Sequence, residues 1–319
     1  MDELKSPYPR PIVSVILPTF NRAASLERAI RCVLAQTFSD FELIVIDDGS
    51  TDGTPQIVKT INDRRLHFLR LPVNRGAAAA RNLGIKESHA GLIAFQDSDD
   101  IWSPDKLAVQ IESIKQINPK TGVLYSSFRW QSGQRQGITP ANTRTVLSRF
   151  GLARHRLEGD LRQALLRGNF ITTQTALVKR ECLDSAGGFD KRLARLQDWD
   201  LWLRIAQHYQ FHYIDRPLVR TYRSSKRISA DENALLRAFD LLLSKHRHDK
   251  QAYNEISAQR CYALGSLYMR KNRPSPARNH LWRALRQSPL TAVYWLAALA
   301  SLFGPKFYRR TTTLVGSGY

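Results

Sequence analysis

Val13-Ser14-Val15-Ile16-Leu17-Pro18-Thr19-Phe20-Asn21-Arg22 and, one helical stretch later, Phe41-Glu42-Leu43-Ile44-Val45-Ile46-Asp47-Asp48-Gly49-Ser50-Thr51-Asp52 share one design: a short apolar run that ends in polar turn residues. Runs without polar alternation belong to strands buried on both faces. Between them, Ala24 to Gln36 carries Leu26, Ala29, Ile30, Val33 and Leu34 on one helical face. The rhythm continues with a helix near Pro55 to Ile61, a strand at Leu66 to Leu71, a helix at Ala77 to Glu87 and a strand at Gly91 to Phe95. A further helix is expected with Ser103 as its cap, Pro104 at its first position and Leu107, Ile111 and Ile114 on its apolar face. Strands alternating with helices through short links predict an α/β fold, a mostly parallel sheet flanked by helices.

After Gly122 the rhythm changes. Strand-like segments at Val123 to Trp130, Phe170 to Val178 and Phe211 to Arg223 flank a long polar stretch, Gln131 to Arg156, of the kind that forms active-site loops and lids. From Asp231 the pattern is all helical: Asn233 to His246, Tyr253 to Arg270, Pro276 to Gln287 and Leu290 to Phe303. Two of these helices, joined at Asn272-Arg273-Pro274, look like one pair of a helical repeat, but no second copy follows. The expected organisation is an α/β domain over residues 1–225, in halves 1–120 and 121–225, and a helical C-terminal region over 226–319.

The 319 residues are 43% hydrophobic and 24% charged, which suits a globular chain and excludes a disordered, collagen-like or disulfide-stapled one. Cys32, Cys182 and Cys261 are far apart with no C-x-x-C, so a reducing compartment is expected and no structural zinc site. The net charge is +20, from 48 Lys and Arg against 28 Asp and Glu. Residues 1–120 hold 15 of each sign, residues 121–219 hold 15 against 8, and residues 220–319 hold 18 against 5. An anionic partner is therefore expected at the back half. The start, Met1 to Pro7, lacks the form of a secretory signal and no apolar run is long enough to span a bilayer, so a cytoplasmic chain, soluble or peripheral to a membrane, is expected. Leu290 to Gly304, followed by Lys306, Arg309 and Arg310, reads as a buried terminal helix in preference to one lying on a membrane surface.

Open parallel sheets bind ligands at the carboxyl ends of their strands. Strand one ends in Pro18-Thr19-Phe20-Asn21-Arg22, strand two in Asp47-Asp48, and strand four in Asp97-Ser98-Asp99-Asp100. Packed carboxylates repel unless protonated or bound to something positive. Hard oxygen donors suit Mg²⁺ or Mn²⁺, so Asp97 and Asp99 are candidate ligands of one ion. Asp48 can accept a hydrogen bond from the ring N–H of uracil or guanine, or can belong to an Asp-Gly-Ser turn. Arg22, Arg75 and Arg81 are candidate cations for a diphosphate, with Gly76 allowing close backbone approach.

As an ordered set, V-S-V-I-L-P-T-F-N-R, F-E-L-I-V-I-D-D-G-S-T-D, N-R-G-A-A-A-A-R-N and D-S-D closely resemble the family-two nucleotide-sugar glycosyltransferases, whose fold is called GT-A. The resemblance runs from Val13 to Leu107 and resumes at Gly187-Gly188-Phe189-Asp190 and Gln197-Asp198-Trp199-Asp200-Leu201-Trp202-Leu203-Arg204. It implies a donor site of Pro18, Thr19, Asn21, Arg22, Asp48, Arg75, Arg81, Asp97 and Ser98. It further implies Asp48 on the nucleobase, Asp97 and Asp99 on a metal-bound diphosphate with Asp99 the direct ligand, and Asp198 as catalytic base. A single base implies inversion. Residues 1–120 become the nucleotide-sugar half and 121–225 the acceptor half. Two departures stand out. Gln197 replaces the Glu usual before the base, and Q-x-x-R-W is missing, which implies transfer of one sugar and no polymer extension. The expected partners are a nucleotide-sugar donor, first a UDP-sugar, and a glycan or lipid-linked acceptor, with an anionic membrane surface as a further candidate and nucleic acid disfavoured. Two other classes stay open: a non-catalytic module recruited by its basic helices to nucleic acid or an anionic membrane, and a nucleotidyltransferase. His208 and His212 do not read as a zinc pair, and Trp130, Trp199 and Trp202 are candidates for sugar stacking, with core packing preferred for Trp202.

Overall fold

Alternate residues of the first strand go to opposite faces of the sheet, and both faces are covered. In β1 (Val13–Thr19), Val13, Val15 and Leu17 join Phe41, Leu43 and Val45 of β2 (Phe41–Asp47) beneath α1 (Ala23–Leu34). Ile16 joins Ile44 and Ile46 on the other face, with β4 (Leu92–Phe95), beneath α3 (Ala77–Glu87). That double burial is why the strands read as unbroken apolar runs. Helix α2 (Thr54–Lys59) and β3 (Leu66–Arg70) lie between β2 and α3 in the chain. Gly84 lets α3 press close to the sheet, since a Cβ there would sit 2.6 Å from Ile16 Cγ2 and 2.8 Å from Ile46 Cδ1.

This computed structural model describes residues 10–132, 135–139, 157–222 and 231–315. The later elements are β5 (Ile101–Trp102), α4 (Lys106–Ile114), β6 (Thr121–Ser132), β7 (Arg135–Thr139), α5 (Arg162–Leu166), β8 (Leu177–Lys179), α6 (Arg180–Ala186), α7 (Gln197–Ile205) and β9 (Gln210–Tyr222). They are followed by α8 (Glu232–Lys245), α9 (Lys250–Arg270), α10 (Pro274–Gln287), α11 (Ala292–Leu302) and α12 (Pro305–Val315). One nine-stranded sheet runs β3-β2-β1-β4-β8-β6-β9-β5, with β7 folded back on β6. β1 pairs in parallel with β2 from Val13↔Phe41 to Thr19↔Asp47, and with β4 from Val13↔Leu92 to Ile16↔Phe95. β8 is antiparallel to both β4 and β6, so β6, and β9 parallel to it, point the same way as β1 to β4; β5, β7 and β8 run against them. The fold is a mixed α/β sheet flanked by helices, with a helical C-terminal region.

Local departures from the sequence reading have physical causes. α4 starts at Lys106 and no side chain caps it. Ser103 is spent on the sheet instead: its N–H donates to Leu218 and its carbonyl accepts from Gln36 Nε2, while Asp105 pairs with Arg216 at 2.6 Å. Of Phe170 to Val178 only Leu177 and Val178 are strand, the start of β8, because Thr173–Thr175 forms a 3-10 turn. Most of Gln131 to Arg156 lies outside the described residues, as does Arg223; the described parts of that stretch are the end of β6 at Gln131 and Ser132, and β7. α12 and the two-residue β5 were not expected. Helix α11 is not wholly buried: Tyr294, Ala297, Ala298 and Ser301 face the core, whereas Trp295, Leu299 and Leu302 are exposed. Trp295, Leu299 and Leu302 make the outer face as apolar as the inner one of Tyr294, Ala297 and Ala298, so hydrophobicity alone marked no side.

Phe239 and Leu242 of α8 and Ala252 and Ile256 of α9 pack into the same core as Trp199 and Trp202 of α7. Further along, α9 to α12 close a second core around Tyr262, Leu281, Tyr294 and Tyr308. Trp199 and Trp202 are fully buried and their indole N–H groups donate to the Leu165 and Ile171 carbonyls, so both serve packing.

Lys106 is fully buried, with Nζ 2.8 Å from Gln110 Oε1 and 3.8 Å from the centre of the Trp102 ring. Burial pushes its ammonium down from 10.5 to about 7. Between these values the unfolded chain holds a proton that the folded chain lacks, so stability rises with pH across that window and the penalty is complete below it. Thermal unfolding of wild type and Lys106→Met from pH 7 upward tests this: the variant is expected to lose that part of the rise, and parallel curves would refute it.

Candidate active site

The carboxyl ends of β1, β2 and β4 open one crevice, and its floor begins with a missing hydrogen bond. Ile16 bonds toward β4, through its carbonyl to the Gln96 N–H, so Pro18, two residues on, faces the same side after β4 has ended at Phe95. A proline there forfeits no ladder bond. Beyond it, Thr19 is buried and its Oγ1 has no partner among the described residues. Asn21 takes a left-handed backbone, φ 52°, and latches two loops together. Its N–H donates to Ser50 Oγ at 2.8 Å and its side-chain oxygen accepts from the Thr51 N–H at 2.9 Å. Arg22 donates its N–H to Thr54 Oγ1, and its guanidinium reaches Asp99 at 3.7 Å.

The two aspartates that end β2 divide their work. Asp47 makes the turn: Oδ1 accepts from the Ser50 N–H at 3.0 Å and Oδ2 pairs with Arg70 Nε at 3.2 Å. Asp48, also buried, accepts from the Arg75 and Gly76 N–H groups, each at 2.8 Å. Gly76, with φ 86°, supplies the positive-φ backbone from which α3 starts. Each oxygen of Asp48 keeps a second lone pair. The Arg75 side chain is exposed.

About 7.5 Å further along α3, Arg81 spans the crevice. One terminal nitrogen donates to Asp97 Oδ1 at 2.9 Å and the other to Gln197 Oε1 at 3.1 Å, with the guanidinium 5.4 Å from the centre of the Phe189 ring. The next residue holds the same partner by its backbone: Asn82 accepts from the Phe189 N–H and donates to the Phe189 carbonyl, both at 2.8 Å. Asp97, Asp99 and Asp198 are half-buried, and Ser98 is buried with its carbonyl accepting from Ser25 Oγ. Burial first, then the Asp97 and Asp99 charges, hold the Asp100 carboxyl well above the usual carboxylate range.

Asp198 starts α7 behind Leu196, whose φ is 60°. Its Oδ1 accepts from the Trp199 N–H at 2.8 Å and its Oδ2 from Asn169 Nδ2 at 2.9 Å. Burial raises its pKa, against the pull of those two hydrogen bonds and of the Arg81 charge. Asp200 differs: it is buried and paired to Arg204 at 2.6 Å and to Lys245 of α8 at 2.5 Å. Two aspartates two positions apart thus have a half-buried and a sealed environment. Asn169 escapes sequence reasoning as a site residue because its role is set by a partner far along the chain; Phe189 lay in the Gly187-Gly188-Phe189-Asp190 motif without an assigned role, and the Arg81-Asn82 that closes N-R-G-A-A-A-A-R-N was the available signal for Asn82.

The donor set suits a hard divalent cation, since Asp97 and Asp99 present half-buried carboxylate oxygens on one loop. No group of three His, Cys, Asp or Glu side chains able to hold a metal occurs among the described residues, so such an ion would need oxygens from a ligand or water as well. His212 instead pairs with Glu158 at 3.1 Å.

The profile of glycosyl transferase family 2 matches residues 14–183. The putative colanic acid biosynthesis glycosyl transferase WcaA of Escherichia coli is 30% identical over 206 residues, covering 62% of this chain and 67% of that protein. Matches to uncharacterised glycosyltransferases of Rickettsia conorii and Rickettsia bellii span about a third of those proteins, 36% of their length. Among solved structures, Staphylococcus aureus TarS 1–349 in complex with UDP-GlcNAc superposes with a TM-score of 0.62 at 17% identity, covering 94% of this chain and 90% of that one. The mannosyltransferase PcManGT of Pyrobaculum calidifontis, in complex with GDP-Man and Mn²⁺, also gives 0.62, at 21% identity over 97% of this chain and 85% of that one. These likenesses establish the fold.

Removing Arg81 leaves the Asp97 carboxylate and the Gln197 amide without their shared donor. Arg81→Ala is expected to lower the unfolding free energy in urea by about 3 kcal/mol. Arg81→Lys, which keeps the charge and loses the fork, is expected to recover part of that. Wild-type stability in Arg81→Ala would show that the bridge holds nothing.

Proposed function

The chain belongs to glycosyl transferase family 2, and from that premise we propose that it moves one sugar from a nucleotide sugar, first a UDP-sugar, to a hydroxyl of a glycan or lipid-linked acceptor, with inversion. The observation that carries this reading is the Arg81 bridge, which ties the Asp97 carboxylate to the Gln197 amide, the residue before Asp198, through one guanidinium whose charge also reaches Asp198. The neighbours in complex with UDP-GlcNAc and GDP-Man support the donor class. A purely binding role would leave the raised, half-buried Asp198 without a task.

In this reading Asp48 offers its remaining lone pairs to the nucleobase ring N–H. Pro18, Thr19 and Asn21 floor the donor site, and the unpartnered Thr19 Oγ1 is a polar atom available to it. Arg22, Arg75 and Arg81 face the diphosphate, and Ser98 sets the spacing of Asp97 and Asp99. Those two aspartates would hold Mn²⁺ or Mg²⁺, which when bound neutralises charge on the leaving diphosphate. Asp198 takes the proton from the acceptor hydroxyl as its oxygen attacks the anomeric carbon and the bond to the diphosphate breaks. Asn169 and the Trp199 N–H orient that carboxylate. Burial strengthens it as a base by lifting its pKa. We further propose that residues 1–225 form the catalytic domain, divided near 120 into donor and acceptor halves, with 226–319 docked on it. No helix among the described residues is long and apolar enough to cross a membrane; our reading puts the enzyme at the cytoplasmic face of one.

The test is transfer or hydrolysis of nucleotide sugars with Mn²⁺, scored by nucleoside diphosphate release and by the anomeric configuration of the product. Asp198→Asn is expected to lower kcat by about 10³-fold, and EDTA or Asp99→Ala to abolish turnover. A retained configuration, or full activity in EDTA, would overturn the mechanism or the metal assignment respectively.

Gln197→Glu tests the electrostatics. A base works deprotonated, so kcat/KM falls as pH drops through its pKa. A second carboxylate beside Asp198 disfavours ionisation and also draws on Arg81. The acid limb of the pH–rate profile is therefore expected to move to higher pH. A limb that stays in place would remove Asp198 as the titrating base.

A further inference from the structure

Six large apolar side chains lie exposed within one short stretch: Leu290, Trp295, Leu299, Leu302, Phe303 and Phe307. Only five other large apolar residues are exposed among the described residues, and those are scattered from Ile12 to Tyr253. Trp295, Leu299 and Leu302 recur at i, i+4 and i+7, so they form one stripe along α11, apart from the face that Tyr294, Ala297, Ala298 and Ser301 bury. Phe303 and Phe307 pack at 5.1 Å between ring centres and carry the stripe across the turn onto α12. The Trp295 indole N–H already donates to the Pro289 carbonyl, so its outer surface is apolar.

Charge completes the picture. From Ile256 to Tyr319 the chain has ten Lys and Arg and not one Asp or Glu. Lys306, Arg309 and Arg310 are all exposed on α12, with Lys306 and Arg310 flanking Phe307. Arg278 donates to the Ser301 and Leu302 carbonyls at the end of α11, which brings a further cation to the rim. A contiguous apolar stripe of this kind marks an interaction surface. A second copy of the same face would set cation against cation. What complements apolar side chains rimmed only by cations is an apolar interior beneath an anionic layer.

We infer that the α11–α12 face docks on an anionic lipid bilayer, with Trp295, Leu299, Leu302, Phe303 and Phe307 entering the headgroup boundary and Lys306, Arg309 and Arg310 meeting lipid phosphates. The surface commits the chain to lie on a membrane, and none of its residues belongs to the crevice. It stands apart from the donor chemistry, so vesicle binding and nucleotide-sugar turnover can fail separately.

The experiment is co-sedimentation of the full chain with phosphatidylcholine vesicles that contain or lack phosphatidylglycerol. Wild type is expected to pellet with the anionic vesicles and to release as salt rises. Leu299→Ser/Phe303→Ser, two exposed positions, is expected to weaken binding by about tenfold or more with unchanged circular dichroism. Lys306→Glu/Arg310→Glu is expected to weaken it by a similar factor and to flatten the salt dependence. A wild-type chain that stays in the supernatant with both vesicles, or variants that bind as well as wild type, would overturn the inference. So would light scattering that shows a concentration-dependent dimer abolished by Leu299→Ser/Phe303→Ser without vesicle binding, since the occupant would then be a second copy.

Discussion

The guanidinium of Arg81 ties together parts of the α/β fold that lie a hundred residues apart, Asp97 and Gln197. It leaves α3, a helix anchored at its start by Asp48, and reaches both the loop after β4 and the start of α7. Toward Asp97 the bond joins opposite charges and toward Gln197 it joins a charge to a neutral amide, so most of its electrostatic pull falls on the aspartate. A glutamate at 197 would compete for it. With glutamine there, the Arg81 charge also reaches Asp198 and opposes the rise that burial produces.

The same logic recurs one layer deeper, with a lysine in the bridging role. Lys245, at the end of α8, pairs with Asp190 at 2.7 Å and with Asp200 at 2.5 Å, and Arg204 closes on Asp200 from the other side. Asp190 is held well below the usual carboxylate range, first by its hydrogen bond to Arg192 and also by Lys245. The helical C-terminal region is thereby part of the support for α7, the helix that presents Asp198. Its basic charge has different destinations: Lys245 pairs with Asp190 and Asp200 of the α/β domain, Arg237, Arg260 and Lys271 pair with acids of the helical region itself, and Lys306, Arg309 and Arg310 lie exposed on α12. A net charge summed over the chain conflates them.

Where the candidate site residues sit was largely legible because they lie where strands end. Asp48, Asp97, Asp99 and Arg22 follow apolar runs whose burial on both faces fixes their direction, so the turn residues must gather at one edge of a parallel sheet. Asp198 was legible from its motif. Less legible were the tasks assigned inside the motifs. Asp48 looked like a ligand group or a turn residue; it also fastens α3 through two backbone N–H groups, while its neighbour Asp47 makes the turn. Asn21 proved to be a latch between two loops. Ser103 was expected to cap α4, and its backbone instead serves the sheet and Gln36. Hydrogen bonds of this kind join residues tens of positions apart, and no local periodicity encodes them.

By itself, the sequence determined the α/β succession, the edge at which functional groups collect, and the uneven placement of charge, because each follows from local pattern: period, turn chemistry and composition. The tertiary structure decided which of two neighbouring aspartates is paired with cations and which is held by N–H donors, in Asp200 against Asp198 as in Asp47 against Asp48. It also decided which face of α11 is buried, since a helix apolar on both sides carries no mark of inside. Burial and partner geometry depend on elements brought together from distant parts of the chain, and those are properties of the packed fold.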